Sequence, residues 1–296
     1  PNITWYTVKT LNVGIDADLW NGLLGVSFDL FQRDRDNLMA NRIATIPGTF
    51  GAAMPKENLE SDRTKGFEVE LRHRNRVGQV NYSVSGNIAI TRSMWRYKER
   101  TPSGNSYDNW RNNLTNRYND IWFGYGADGR YPLMTFGLTL SAQWKGFDVN
   151  MTFQGAAMSY VSYGEQLSAP LQFNGNALDM FLDRWRPVDP KQDPYDPSCQ
   201  WISGYYSYGG TTPDLNSEFS IQKGTYLRLK TAEIGYTLPK NCLSFIGIKN
   251  LRIYMNGYNL FTITGVKGVD PERPAELYGY MYPLNRTYNF GASVTF

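Results

Sequence analysis

Flat aromatic rings set among polar residues are the most conspicuous chemistry in this sequence. Trp110, Trp122, Tyr125 and Tyr131 fall in one long polar stretch, and Trp185, Trp201, Tyr205, Tyr206 and Tyr208 in another. Such rings stack on sugar faces or grip peptide side chains, and they equally serve to pack a large loop or seat a protein lid. Trp122, Tyr125, Trp185, Trp201, Tyr205 and Tyr206 are the candidates for substrate contact. Catalytic chemistry has little to work with. His73 is the one histidine, in the basic run Arg72 to Arg76, and reads as a solvated turn residue. No Ser-His-Asp site can be assembled elsewhere without a second imidazole. Asp189, Asp193 and Asp196 stand among Pro187, Pro190, Pro194 and Pro197. Clustered carboxylates can bind Ca²⁺, but this spacing matches no cation loop. Gly124, Gly126 and Gly129 resemble a phosphate loop without the strand–turn–helix unit that would make one. Cys199 and Cys242 fit neither a disulfide framework nor a metal site. No catalytic residue, cofactor or metal is expected. With 30 basic and 27 acidic residues, scattered along the chain, nucleic acid is not an expected partner.

The elements that must carry those loops are strands. Leu11, Val13, Ile15, Ala17 and Leu19 alternate with Asn12, Gly14, Asp16 and Asp18. The same period of two runs through Leu24–Leu30, Phe67–Leu71, Val80–Ile90, Phe136–Trp144, Phe147–Phe153 and Leu251–Met255. It closes on Tyr288, Phe290, Ala292, Val294 and Phe296 against Thr287, Asn289, Gly291, Ser293 and Thr295. Between them, Leu227 and Leu229 are out of phase with Ala232, Ile234, Tyr236 and Leu238, which predicts a bulge near Lys230 or a strand half facing an interior plug. No apolar run is long enough for a transmembrane helix, but barrel strands dilute each apolar residue with a polar neighbour.

Connection lengths choose the architecture. Short turns are expected at Asn21-Gly22, Asn75–Gly78, Lys145-Gly146 and 238–248. Long connections are expected over 36–64, 92–133, 156–224 and 262–285. Strict short/long alternation belongs to a membrane barrel, with tight periplasmic turns and large extracellular loops, rather than to a β-sandwich. About nine antiparallel strands follow, each of about ten residues, enough to cross an apolar band of about 25 Å when tilted. One parity then faces lipid. The other, with Asp16, Asp18, Asp29, Glu68, Glu70, Arg72, Asp148 and Asn150, faces a wet lumen. Phe296, Phe290 and Tyr288 are the residues expected to direct membrane assembly. An odd number of strands cannot close a bacterial barrel, so an open sheet is expected, belonging to a chain that begins mid-protein.

Several stretches resemble the SusC-like (RagA-like) TonB-dependent outer-membrane transporters of Bacteroidetes, over nearly the whole chain. They are Thr10–Asp16, Pro47-Gly48 through Asn58 with Lys65–Leu71, and Asp183–Trp185. Gly224–Lys230 with Gly235–Pro239, Asn259–Thr262 and Gly268–Glu272 complete the set in the family's order. The resemblance implies an all-β transmembrane barrel of about 22 strands, of which residues 1–296 supply the C-terminal ones. It further implies energy-coupled import of an oligosaccharide or peptide, a SusD-like surface lipoprotein on the extracellular loops, and coupling to the TonB complex through an N-terminal part. The place of work is the outer membrane of a Gram-negative, Bacteroidetes-like cell. A passive porin, a barrel enzyme and a soluble glycan-binding or adhesion module are the competing classes.

Overall fold

The computed structural model describes residues 3–42, 51, 55–119, 131–208, 220–239, 247–272, 276–277, 282 and 284–296. In chain order its strands are β1 (Thr7–Leu19), β2 (Leu24–Asn41), β3 (Lys56–Val77), β4 (Val80–Tyr97), β5 (Arg117–Tyr118), β6 (Met134–Trp144), β7 (Phe147–Ala157), β8 (Tyr160–Tyr163), β9 (Arg186–Pro187), β10 (Trp201–Ile202), β11 (Ile221–Lys223), β12 (Tyr226–Thr237), β13 (Asn250–Thr264), β14 (Glu276–Leu277) and β15 (Thr287–Thr295). One short helix, α1 (Ser106–Arg111), lies between β4 and β5.

The long strands form a single antiparallel meander, β1-β2-β3-β4-β6-β7-β12-β13-β15, with β5 appended to β4. Neither β1 nor β15 closes onto the other, so the sheet is open. Its rows are set by register. Val13, Leu30, Phe67, Ile90 and Met134 lie opposite one another, as do Leu138, Phe153, Leu229 and Phe261 further along. These rows share one face, and that face is bare: Leu11, Val13, Ile15, Leu71, Ile88, Ile234, Ile253 and Phe290 are all exposed, the last at 79%. A soluble protein does not leave a continuous apolar surface of this extent uncovered. The other face alternates with it and is polar, as in the row Asp16, Ser27, Glu70, Asn87, Gly137, Gln154, Arg228 and Thr262.

Turn chemistry accounts for the short connections. Lys145 and Gly146 take φ of 47° and 89°, the left-handed pair that a two-residue hairpin between Trp144 and Phe147 requires. The first hairpin is longer than its Asn21-Gly22 signal: Leu19 pairs with Leu24, and Trp20, Asn21 and Gly22 all have positive φ. The second is displaced. Val77 pairs with Val80, so the turn is Gly78-Gln79, and Asn75 and Arg76 remain in the ladder. His73 is therefore a strand residue rather than a turn residue, its Nε2 2.9 Å from the Tyr82 hydroxyl on the next strand. The predicted bulge is present: registers shift between Leu229 and Thr231 against both neighbours, Lys230 being the extra residue against β7 and standing against two, Asn259 and Leu260, of β13. The slip brings Leu227 and Leu229 onto the apolar face and turns Arg228 inward.

Strands β2, β3 and β4 contain 18, 22 and 18 residues, well beyond the expected ten, and the first long connection shrinks from 36–64 to 42–55. The extensions carry no apolar alternation because both of their faces are polar. Charge pairs join them: Arg63 Nε to Asp34 Oδ1 at 2.5 Å, Arg35 Nε to Asp62 Oδ1 at 2.8 Å, Arg42 to Glu57 at 2.7 Å and Lys98 to Glu60 at 2.8 Å. The eleven-residue hairpin β6–β7, by contrast, spans roughly 25 Å at ordinary rise and tilt, matching an apolar band.

Candidate functional site

The long connections gather at one end of the sheet, and two of them pack into a small body. Strand β8 pairs with β11 and β14. Val161, Tyr163 and Leu167 bury together with Val266, a residue about a hundred positions away, and Leu178, Met180 and Val269 close over them. Tyr163 fastens the two connections: its hydroxyl donates to the Lys267 carbonyl at 2.8 Å and accepts from the Lys267 N–H at 2.7 Å. Burial pushes that phenol up to about 12.

Arg228 joins this body to the wall. It is 1% exposed and points inward beside the bulge. Its Nη2 meets both Asp270 oxygens at 2.7 and 2.6 Å, Nη1 meets Glu272 at 2.7 Å, and Nε donates to the Thr262 hydroxyl at 3.0 Å. Lys230 and Gln154 also reach Glu272, at 3.2 and 3.1 Å. A buried guanidinium with every edge paired meets the condition under which burying a charge is tolerable. Both halves of the cluster lie in the motif stretches Gly224–Lys230 and Gly268–Glu272, yet nothing in the sequence pairs them.

The second aromatic stretch forms a patch on the same body. Tyr206 donates its N–H to the Asp183 carbonyl, and its own carbonyl accepts from Trp185 N–H at 2.9 Å. Its ring sits 4.8 Å from Phe181 and 5.1 Å from Tyr205. At 6% exposure Tyr206 supports the patch from beneath. Trp185 and Tyr205 stay exposed above it; Trp201 packs edge-on to Tyr208 at 5.1 Å and is partly exposed. Trp122, Tyr125 and the Gly124–Gly129 stretch lie outside the described residues, as does Cys242. In the same connection as Trp122, Trp110 carries Arg117 over its ring at 4.9 Å. Asp189, Asp193 and Asp196 each accept an N–H two residues on, from Lys191, Tyr195 and Ser198 at 2.8–2.9 Å, so the Asp-Pro stretch is a string of turns. The two bonds from Ser198 hold the Asp196 carboxyl below the usual range.

The inner wall below is a mesh of charges and amides. Arg252 bridges Asp148 at 2.5 Å and Glu233 at 2.6 Å, Asn256 donates to Glu233, and Asn289 to Asn256. Gly235 makes room for this, since a Cβ there would strike the Arg252 guanidinium. At the other edge Arg72 reaches Asp18 at 3.2 Å and Ser27 donates to Asp16 at 2.6 Å. A surface of this kind can hydrate a passage and hold a polar solute weakly.

A family description reading "TonB dependent receptor-like, beta-barrel" matches residues 1–260. The chain is 23% identical to TonB-dependent receptor P3 of Formosa agariphila, over 92% of this chain and 31% of that protein. It is 22% identical to TonB-dependent receptor SusC of Bacteroides thetaiotaomicron, over 100% of this chain and 32% of that protein. The chain thus spans about a third of the length of these relatives. Its fold superposes on a structure of the RagAB peptide transporter with a TM-score of 0.73 at 19% identity, covering 100% of this chain and 36% of that one.

Proposed function

Because the chain belongs to the TonB-dependent receptor-like β-barrel family of the outer membrane, we propose that it supplies barrel wall and extracellular loops to an energy-coupled importer of oligosaccharides or peptides. The observation that carries the reading is a continuous sheet with one bare apolar face and one charged, hydrogen-bonded face, its long connections folded into a body at one end. That is the division between lipid and water that a transmembrane wall needs. The whole barrel on this reading has about 22 strands, β1 and β15 each pairing with strands outside this chain. Coupling to the TonB complex then comes from a preceding plug, and a SusD-like surface lipoprotein sits over the loop body.

Trp185, Trp201 and Tyr205, with Trp122 and Tyr125, are the proposed contacts for substrate or for that lipoprotein, and Tyr206 supports them. Tyr288 and Phe290, on the outward face of β15, and Phe296, just past its end, are the proposed assembly determinants. Uptake of labelled oligosaccharides and peptides by cells carrying the full-length protein tests the reading. Uptake should stop on adding a proton uncoupler; import that persists makes the protein a passive porin. Trp185→Ala with Trp201→Ala should raise half-saturation about tenfold, the scale of one or two lost stacking contacts, at unchanged barrel abundance. Unaltered half-saturation would remove these rings from the site.

A further inference from the structure

The outward face changes chemistry abruptly at the long-connection end of β1–β4. The apolar series stops at Leu11, Leu30, Phe67 and Ile90, and the next outward positions are Lys9, Gln32, Lys65 and Arg92. Gln32 lies opposite Lys65, and Lys65 opposite Arg92, so these three form a row directly above the apolar one; Leu11 continues that row on β1, and Lys9 stands one step beyond it. The acids of this collar are already matched. Asp34, opposite Lys9, is held by Arg63 at 2.5 Å, and Asp36 faces Arg96 at 3.8 Å. Positive charge is left over on Lys9 and Lys65, both exposed, and on Arg92. The Arg92 guanidinium lies on the Tyr118 ring, 3.6 Å from its centre, and its buried Nε has no hydrogen-bond partner among the described residues. A guanidinium laid flat on a ring is oriented before any anion arrives.

We propose that Lys9, Lys65 and Arg92 bind the phosphate groups of an anionic lipid whose acyl chains lie on the apolar rows beneath. The site rests on the reading of that face as lipid-facing, and it adds the headgroup chemistry and the residues. Lipid rather than free phosphate is the fitting occupant, because the cations sit one step past the edge of an apolar surface that only acyl chains would cover. The test uses the full-length protein in neutral detergent, with diphosphoryl lipid A as probe, its dephosphorylated form and inorganic phosphate as controls, and the unfolding midpoint as readout. The phosphorylated lipid should raise the midpoint by several degrees, and the two controls should not. Lys9→Gln with Lys65→Gln should at least halve that rise, whereas Lys145→Gln, in a turn at the opposite end, should leave it whole. A rise that survives the double substitution, falls equally with Lys145→Gln, or appears with inorganic phosphate alone overturns the proposal. Heat-modifiable migration of each variant shows separately that the barrel is folded, so a lost lipid response is not confused with a failed barrel.

Discussion

Two side chains decide whether the loop body stays seated on the wall. Arg228 neutralises Asp270 and Glu272 at once, and removing it leaves two carboxylates with Lys230 as the one cation paired to them among the described residues. Arg228→Met should cost about 3–5 kcal/mol, the scale of breaking a buried pair from one side. Limited proteolysis of the full-length protein should then cut near residues 265–272 while the barrel remains heat-modifiable. Arg228→Lys should lie between, since a point charge cannot replace the fork on both acids. Tyr163 is the second fastening. Its phenol is pushed up to about 12 from an ordinary 10, so the protonated form is the one the fold favours. The sign follows: its contribution is whole below about pH 10 and fades as pH rises through about 12. An ultraviolet titration should show a late tyrosine phase that Tyr163→Phe diminishes by one group, and that substitution should lower stability by about 1 kcal/mol. Neither fastening was legible in the sequence. Tyr163 and Lys267 are 104 residues apart, Arg228 and Asp270 are 42 apart, and no periodicity reports a contact made by two separate connections.

Strands were legible wherever lipid meets one face and water the other, because that contrast writes itself as alternation. Val80 to Ile90 and the β6–β7 hairpin were read on this basis and lie in the ladder as expected. The contrast ends above the apolar rows, which is why the charged upper parts of β2, β3 and β4 read as loop. Strands there are held by cross-strand ion pairs that carry no pattern of their own. The parity has a direct test: Leu138 faces outward and Thr139 inward, one residue apart. Leu138→Arg should cost about 2–4 kcal/mol of barrel stability and cut the assembled fraction, whereas Thr139→Arg should be tolerated. Equal losses would mean the faces are wrongly assigned. The bulge permits a sharper version. Deleting Lys230 would regularise the pairing with β7 and leave Leu227 and Leu229 outward and Arg228 inward, because the phase slip disappears with the extra residue. Assembly should survive both that deletion and Lys230→Ala; a deletion variant that fails to assemble would mean the phase slip is wrongly placed.

At the scale of the molecule, both outer strands present unpaired backbone groups along their free edges. Each such group costs several kcal/mol in lipid. Residues 1–296 added alone to liposomes should therefore form no stable channels in single-channel recordings; discrete, long-lived conductance steps would mean the sheet closes on itself. The open sheet was legible from an odd run of strands, whereas the seating of the loop body was not, since it depends on packing between distant connections. The ladder has a mechanical consequence as well. From β1 to β15 the register at the level of the apolar rows is interrupted among the described residues at Lys230, and every other crossing there is an unbroken series of paired residues. In the closed barrel proposed above, hydrogen bonds running around the circumference resist hoop tension, so a sector of this kind would not dilate to admit a larger solute. Its weak seam, at the bulge, is also where Arg228 and Lys230 rivet it from within to Asp270 and Glu272. In the closed barrel proposed above, this sector would therefore act as a stator, and whatever opens would be a part moving inside it.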